Sequence, residues 1–370
     1  MTNTISSCLI VRDAVKTLPK LVMQISSFSD EVIINDTGSI DGTLEWAQQC
    51  GNPKLMLFQN PWEKDFALAR NQSFEKASME WIFWVDADDE LSPELIKWMH
   101  EFRERDIPAD KDCVVLNYLY GPGSNVPNYR LIRRARYIKW VGRCHEFPSM
   151  VSCNYIDATD AGDIIHKREE KHSLRNLEIF IKQMCDCKSM AEITYRDLTY
   201  YANELTCLSK QKAFDVYAWL CKQRDMCMFD LANNICIMHD LAEEGSVSWQ
   251  QYNNAMAQAE FEVDTLRADA IAAIGDGWTH REGMKDEDLQ FIKDIASLAQ
   301  KRVEEARSWD SVSKYGYDEK KTLARIEWLN KFWYLKVVRP KEEEREKEVT
   351  SRWIVDTKDA PDLGYVYIKD

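Results

Sequence analysis

Asp86, Asp88, Asp89 and Glu90 follow directly on the apolar run Trp81-Ile82-Phe83-Trp84-Val85, so a cluster of carboxylates stands where a bulky segment ends. A run of that bulk with a β-branched end suits a strand buried on both faces of a mixed or parallel sheet. Its carboxyl edge is where open α/β sheets bind ligands, because the strands stop there and the loops form a crevice. Two oxygen ligands one residue apart, on a turn leaving a rigid strand, can hold a hard cation such as Mg²⁺ or Mn²⁺, which in turn can hold a diphosphate. The acids also suit a plainer role, since acidic residues often precede a helix and Ser92-Pro93 reads as an N-cap with a proline at the first helical position.

Elements able to position such a cluster precede it. Residues 4 to 11 read as a strand ending at Arg12-Asp13, and Leu18, Leu21, Val22 and Ile25 recur at helical spacing. A second strand, Glu31-Val32-Ile33-Ile34-Asn35, runs into Asp36-Thr37-Gly38-Ser39-Ile40-Asp41-Gly42-Thr43 and a helix carrying Leu44 and Ala47. An aspartate at a strand end can accept hydrogen bonds from a ribose or a base, and the same loop also reads as a well-made turn and helix cap. A third strand at Leu55-Met56-Leu57-Phe58 leads to Asp65-Phe66-Ala67-Leu68-Ala69-Arg70-Asn71, where Phe66, Ala69, Phe74 and Ala77 give a helix a buried stripe. This alternation predicts a doubly wound α/β sheet.

These blocks, in order and at their spacing, resemble the family 2 glycosyltransferases of GT-A (Rossmann-like) fold. The resemblance continues through Tyr129-Arg130-Leu131-Ile132-Arg133-Arg134, then Trp140-Val141-Gly142-Arg143-Cys144-His145-Glu146, then Ile164-Ile165-His166, and covers about residues 4 to 170. Arg12-Asp13 departs from the Lys-Asn-Glu more usual after the first strand. The resemblance implies inverting transfer of a sugar from a nucleotide diphosphate sugar, uridine-based, to a nucleophilic acceptor. Val11, Asp36, Asp65, Arg70, Asp86 and Ala87 would contact the nucleotide sugar. Asp86 and Asp88 match the family's DxD motif, with Asp88 the direct ligand of Mn²⁺ or Mg²⁺, Asp86 nearer the ribose or a metal-bound water, and His166 completing the metal shell. Glu146 would be the general base and His145 would orient or neutralise its site.

The chain divides by pattern into a nucleotide-sugar domain at 1–170, an all-α helical-hairpin domain at 171–335 and a charged linker with a short tail at 336–370. In the second part Leu198, Tyr201, Ala202 and Leu205 form one stripe, and Ala213, Val216, Tyr217 and Leu220 the next. Further helices are expected over 231–244, 252–274, 286–309 and 319–333, and a pair of short strands near the end. The hairpins loosely resemble tetratricopeptide repeats. The run Pro340-Lys341-Glu342-Glu343-Glu344 reads as a solvated helix or linker.

Composition narrows the function classes. The 370 residues are 45% hydrophobic and 11% aromatic with 13 Trp, which describes a folded globular chain. A formal net charge of −14 disfavours holding nucleic acid or anionic lipid by bulk electrostatics. The first residues lack the charged and apolar regions of a signal peptide, and no apolar run approaches the ~20 residues that span a bilayer. The eleven Cys are scattered without zinc spacing, which points to reduced structural thiols in a cytoplasmic-type compartment. Two function classes follow: an active transferase whose helical region selects the acceptor, or a scaffold in which a transferase-like domain has lost turnover. The acceptor stays open among a protein or peptide, a glycan, a lipid-linked sugar and a modified viral DNA base.

Overall fold

The computed structural model describes residues 2–121, 124–150, 154–167, 174–221, 228–258 and 289–306. The chain divides into two compact units, Met1–Lys171 and His172–Asp370.

In the first unit the expected alternation is present: β1 (Ile5–Val11), α1 (Leu18–Ser26), β2 (Glu31–Asp36), α2 (Thr43–Gln49), β3 (Leu55–Gln59), α3 (Phe66–Phe74) and β4 (Trp81–Trp84). These four strands are parallel in the order β3-β2-β1-β4, so the chain moves outward one way from β1 and returns to its other side with β4. The carboxyl ends of β1 and β4 thus flank a topological switch point, where a crevice opens. Every residue of β4 is buried, as its unbroken apolar run requires. One face of the sheet packs Leu9, Leu21, Phe83, Leu95 and Val114 together, and the other packs Cys8, Ile33, Phe74, Ile82, Trp84 and Trp140.

After β4 the sheet becomes mixed. The chain continues through β5 (Asp89–Leu91), α4 (Pro93–Glu104), β6 (Cys113–Gly121), β7 (Ser124–Arg133), β8 (Tyr137–Val141), β9 (Phe147–Met150), β10 (Tyr155–Asp157) and β11 (Asp163–His166). The path runs β4-β7-β6-β11-β5, with β10 beside β6 and the β8-β9 hairpin separate. The plainer reading of the acidic turn holds: Ser92 does cap α4, accepting from the Leu95 N–H at 3.2 Å, with Pro93 at its first position. Ser92 Oγ also accepts from Asp163 N–H at 3.0 Å, tying the start of β11 to the same cap. Only glycine fits at 162: φ is +122°, and a Cβ there would stand 2.5 Å from Leu95 N.

The second unit is helical throughout its described residues: α5 (Arg175–Asp186), α6 (Tyr195–Leu205), α7 (Lys210–Leu220), α8 (Met228–Glu243), α9 (Trp249–Gln258) and α10 (Leu289–Ala306), with a short 3₁₀ turn at Met190–Glu192. The expected stripes on α6 and α7 are buried, and α6 starts with a capping box in which Thr194 and Asp197 satisfy each other's backbone N–H groups. Neighbouring helices pack α6 on α7 and α7 on α8. The pattern read above does not single out α5, although Leu177, Phe180, Ile181 and Met184 give it a buried face. The helix expected over 252–274 is described only as far as Gln258, and the segment 319–333, the acidic run after Pro340 and the terminal strands lie outside the described residues. Among the described residues no helix is long and apolar enough to cross a membrane. Cys8, Cys113, Cys187 and Cys221 are buried, and burial pushes the Cys221 thiol up to about 12.

Candidate active site

The site collects at the carboxyl ends of β1, β2 and β4. Val11 ends β1 opposite Asp36 on β2, and the Val11 carbonyl accepts from Thr37 N–H at 2.9 Å. Asp36 is 3% exposed. Its Oδ1 accepts from Gly38 N–H and Ser39 N–H, each at 2.9 Å, while its buried Oδ2 has no hydrogen-bond partner. Asp13 adopts a left-handed φ of 51°; its Oδ1 accepts from Ile40 N–H at 2.7 Å and its own N–H donates to Ser39 Oγ at 2.9 Å. The Arg12-Asp13 departure thus clamps the loop that carries Asp36.

Asp65 is the N-cap of α3, accepting from Leu68 N–H at 2.8 Å, and burial raises its carboxyl above the usual range. That cap starts the helix that carries Arg70 into the site. The next residue, Asn71, pairs with the backbone of Trp140, accepting its N–H at 2.8 Å and donating to its carbonyl at 3.1 Å. Phe66 N–H donates to the Arg143 carbonyl at 2.8 Å. These bonds dock the segment 140–146 onto α3 and bring Glu146 to Arg70. His145 there takes a left-handed φ of 54°, a strained value for a residue with a side chain.

Arg70 joins both sides of the site: Nε donates to Glu146 Oε1 at 2.6 Å and Nη2 donates to Asp86 Oδ1 at 2.7 Å. The guanidinium is buried and stacks on Trp84 and Trp140 at 4.7 and 5.0 Å. Burial alone would raise the Asp86 carboxyl, but the charges of Arg70 and Arg130 prevail and hold it well below the usual carboxylate range.

The β5-β11 register sets His166 opposite Asp89. His166 Nδ1 lies 3.1 Å from Asp89 Oδ1 and 3.6 Å from Asp88 Oδ1. Burial disfavours the imidazolium, yet the bond to Asp89 and the charges of Asp88, Asp89 and Asp86 raise the His166 pKa. The Tyr118 hydroxyl donates to Asp89 Oδ1 at 2.9 Å and sits 2.9 Å from His166 Nδ1. Asp88, Asp89 and His166 place one ligand atom each within 4.8 Å of one another, and the carboxylate oxygens among them are of the type that suits Mn²⁺ or Mg²⁺. Of the expected metal residues, Asp88 and His166 stand in this cluster, while Asp86 turns to Arg70. Ala87 sits between them with its carbonyl accepting from Thr17 Oγ1 at 2.7 Å. Asp89, Tyr118, Arg130 and Asn71 belong to the same constellation without having been assigned a role from sequence. The third acid of the cluster and an arginine between apolar residues on a strand were the available signals.

Residues 8–166 match the family model for glycosyl transferase family 2. The sheet unit is therefore an α/β domain of the GT-A class, followed by the helical unit. A TPR repeat-containing protein of Synechococcus elongatus is 36% identical over 132 residues, covering 36% of this chain and 31% of that protein. The SPbeta prophage-derived glycosyltransferase SunS of Bacillus subtilis is 30% identical over 155 residues, covering 40% of this chain and 35% of its own. The chain thus spans about a third of the length of these curated relatives. The crystal structure of S. aureus TarS 1-349 in complex with UDP-GlcNAc aligns with a TM-score of 0.36 at 13% identity, over 82% of this chain and 91% of that one.

Proposed function

We infer, for a chain whose residues 8–166 match glycosyl transferase family 2, that it moves a sugar with inversion from a uridine diphosphate sugar to a nucleophilic acceptor, in a metal-dependent reaction. The observation that carries this reading is Arg70, one guanidinium bonded on one side to Asp86 and on the other to Glu146. Donor-side acid and acceptor-side base stand one side chain apart, as a displacement between two substrates requires.

Asp36 takes the ribose or base, with Val11 and Ala87 flanking the nucleotide. Asp86 takes the ribose side, and Asp88 and His166, with Asp89, hold the cation. When bound there, Mn²⁺ or Mg²⁺ supplies Lewis-acid stabilisation of the charge growing on the departing diphosphate. Arg70 adds a second positive group facing that charge. Glu146, whose Oε1 accepts from Arg70 Nε, takes the acceptor's proton. His145 orients that base, and Asp65 keeps α3 and hence Arg70 in place. Buried thiols such as Cys8 and Cys221 fit a reducing, cytoplasmic-type compartment.

The test is hydrolysis of UDP-sugars by the full chain with Mn²⁺, with Mg²⁺ and with chelator, followed by intact-mass analysis after incubation with protein, glycan, lipid-linked and DNA acceptors. Metal-stimulated release of UDP is expected. No turnover of any nucleotide sugar, with or without metal, would favour the scaffold reading.

The helical unit serves the acceptor, because the residues assigned above to nucleotide, metal and diphosphate all lie before Lys167. Changing exposed residues of that unit, such as Lys182, Gln250 and Leu298, should lower transfer to the true acceptor and leave donor binding as it was. Equal loss of nucleotide-sugar binding would overturn this division of labour.

A further inference from the structure

Arg130 is the least expected residue beside the site. It is 1% exposed, in a strand whose neighbouring Leu131 and Ile132 are core residues. Taking a guanidinium out of water costs several kcal/mol unless its partners compensate. The partners here are not ordinary fold contacts. Nη1 lies 3.5 Å from Asp86 Oδ2 and 3.7 Å from Asp89 Oδ2, and the plane is sandwiched between Trp84 at 3.7 Å and Tyr118 at 4.0 Å.

The backbone departs from regularity at this same residue. Val114 pairs with Leu131 and the next residue, Val115, pairs with Tyr129, so Arg130 is passed over as the extra residue of a β-bulge. A bulge bends its strand and re-aims a side chain that alternation would have sent elsewhere. The Tyr129 carbonyl next to it accepts from Trp84 Nε1 at 2.7 Å, so the ring stacked on the guanidinium also clasps the bulge. Trp84 ends β4, immediately before the acidic turn.

We propose that Arg130 is a positioning residue of the transfer reaction: fixed by the bulge, its guanidinium holds Asp86 and Asp89 in place so that Asp88 and His166 are presented to the divalent cation. The proposal rests on the metal-dependent reading above. It makes a prediction opposite to simple electrostatics. Removing a positive charge a few ångströms from a cation site strengthens cation binding if the carboxylates keep their places, and weakens it if they lose them.

The experiment measures Mn²⁺ binding to the full chain by electron paramagnetic resonance of free Mn²⁺, without donor, for the parent, Arg130→Lys and Arg130→Met. Circular dichroism reports the fold. Arg130→Met is expected to bind Mn²⁺ about 10- to 100-fold more weakly, the usual loss when an outer-shell partner of a metal ligand is removed. Arg130→Lys keeps the charge but not the planar fork, and should bind at an intermediate strength, with the loss in kcat and little change in donor KM. Should Arg130→Met fail to fold, the folded lysine variant decides. Unchanged or tighter Mn²⁺ binding in a folded variant overturns the role of Arg130 alone. A parent that binds no Mn²⁺ overturns this proposal together with the metal-dependent reading.

Discussion

Asp88→Asn is expected to abolish metal-dependent turnover while the protein stays folded. The carboxylate stands on the turn after β4 with 42% of its side chain exposed, outside both apolar cores, so its loss removes a cation ligand without opening a cavity. Burial, reinforced by the charges of Asp86 and Asp89, raises the Asp88 pKa against the opposing pull of His166. That crowding of like charge is what a divalent cation relieves. The amide oxygen of asparagine can still coordinate, but it brings no charge. The measurement is UDP release against Mn²⁺ concentration for parent and variant, with circular dichroism as the check on folding. Chelator-insensitive activity in the parent, or near-normal rates in Asp88→Asn, would remove Asp88 from the metal site.

Glu146→Gln is expected to cut transfer by about 10²- to 10⁴-fold, the range for loss of a general base, with donor binding little changed. Glutamine keeps an oxygen that can accept from Arg70 Nε, as Glu146 Oε1 does at 2.6 Å, so the segment 140–146 keeps its seat on α3. What it loses is the capacity to take a proton. Single-turnover transfer and equilibrium binding of the UDP-sugar separate these effects. Transfer at the parent rate with collapsed donor affinity would make Glu146 a donor-site residue and send the search for the base elsewhere.

The local chemistry of the chain was enough for much of the scaffold. β1 to β4 and α1 to α3 lie where apolar runs and helical spacing put them, because burial on one face or two is written in residues a few positions apart. Ser92 and Pro93 announced their helix for the same reason, since a cap is settled within one turn. Positions 6 and 31, a serine and a glutamate in buried strands, show the limit of that signal: they bond each other at 2.6 Å across β1 and β2, which no single strand foretells.

The assembly of the site was decided by contacts between residues far apart in the chain. Asp65 is able to contact a nucleotide by type, and the fold uses it to cap α3. Asp86 and Asp88 look equivalent in sequence, but the strand ends separate them, one toward Arg70 and Arg130, the other toward His166. Asp89 becomes the centre of its cluster only because β11 pairs antiparallel to β5 with His166 opposite it. Arg130 reaches the carboxylates only because the pairing of β6 with β7 slips by one residue. Periodicity carries no record of such a slip. A bulge and a register are set by the energy of the whole sheet, whereas a helix cap or an apolar stripe is set by its own neighbours.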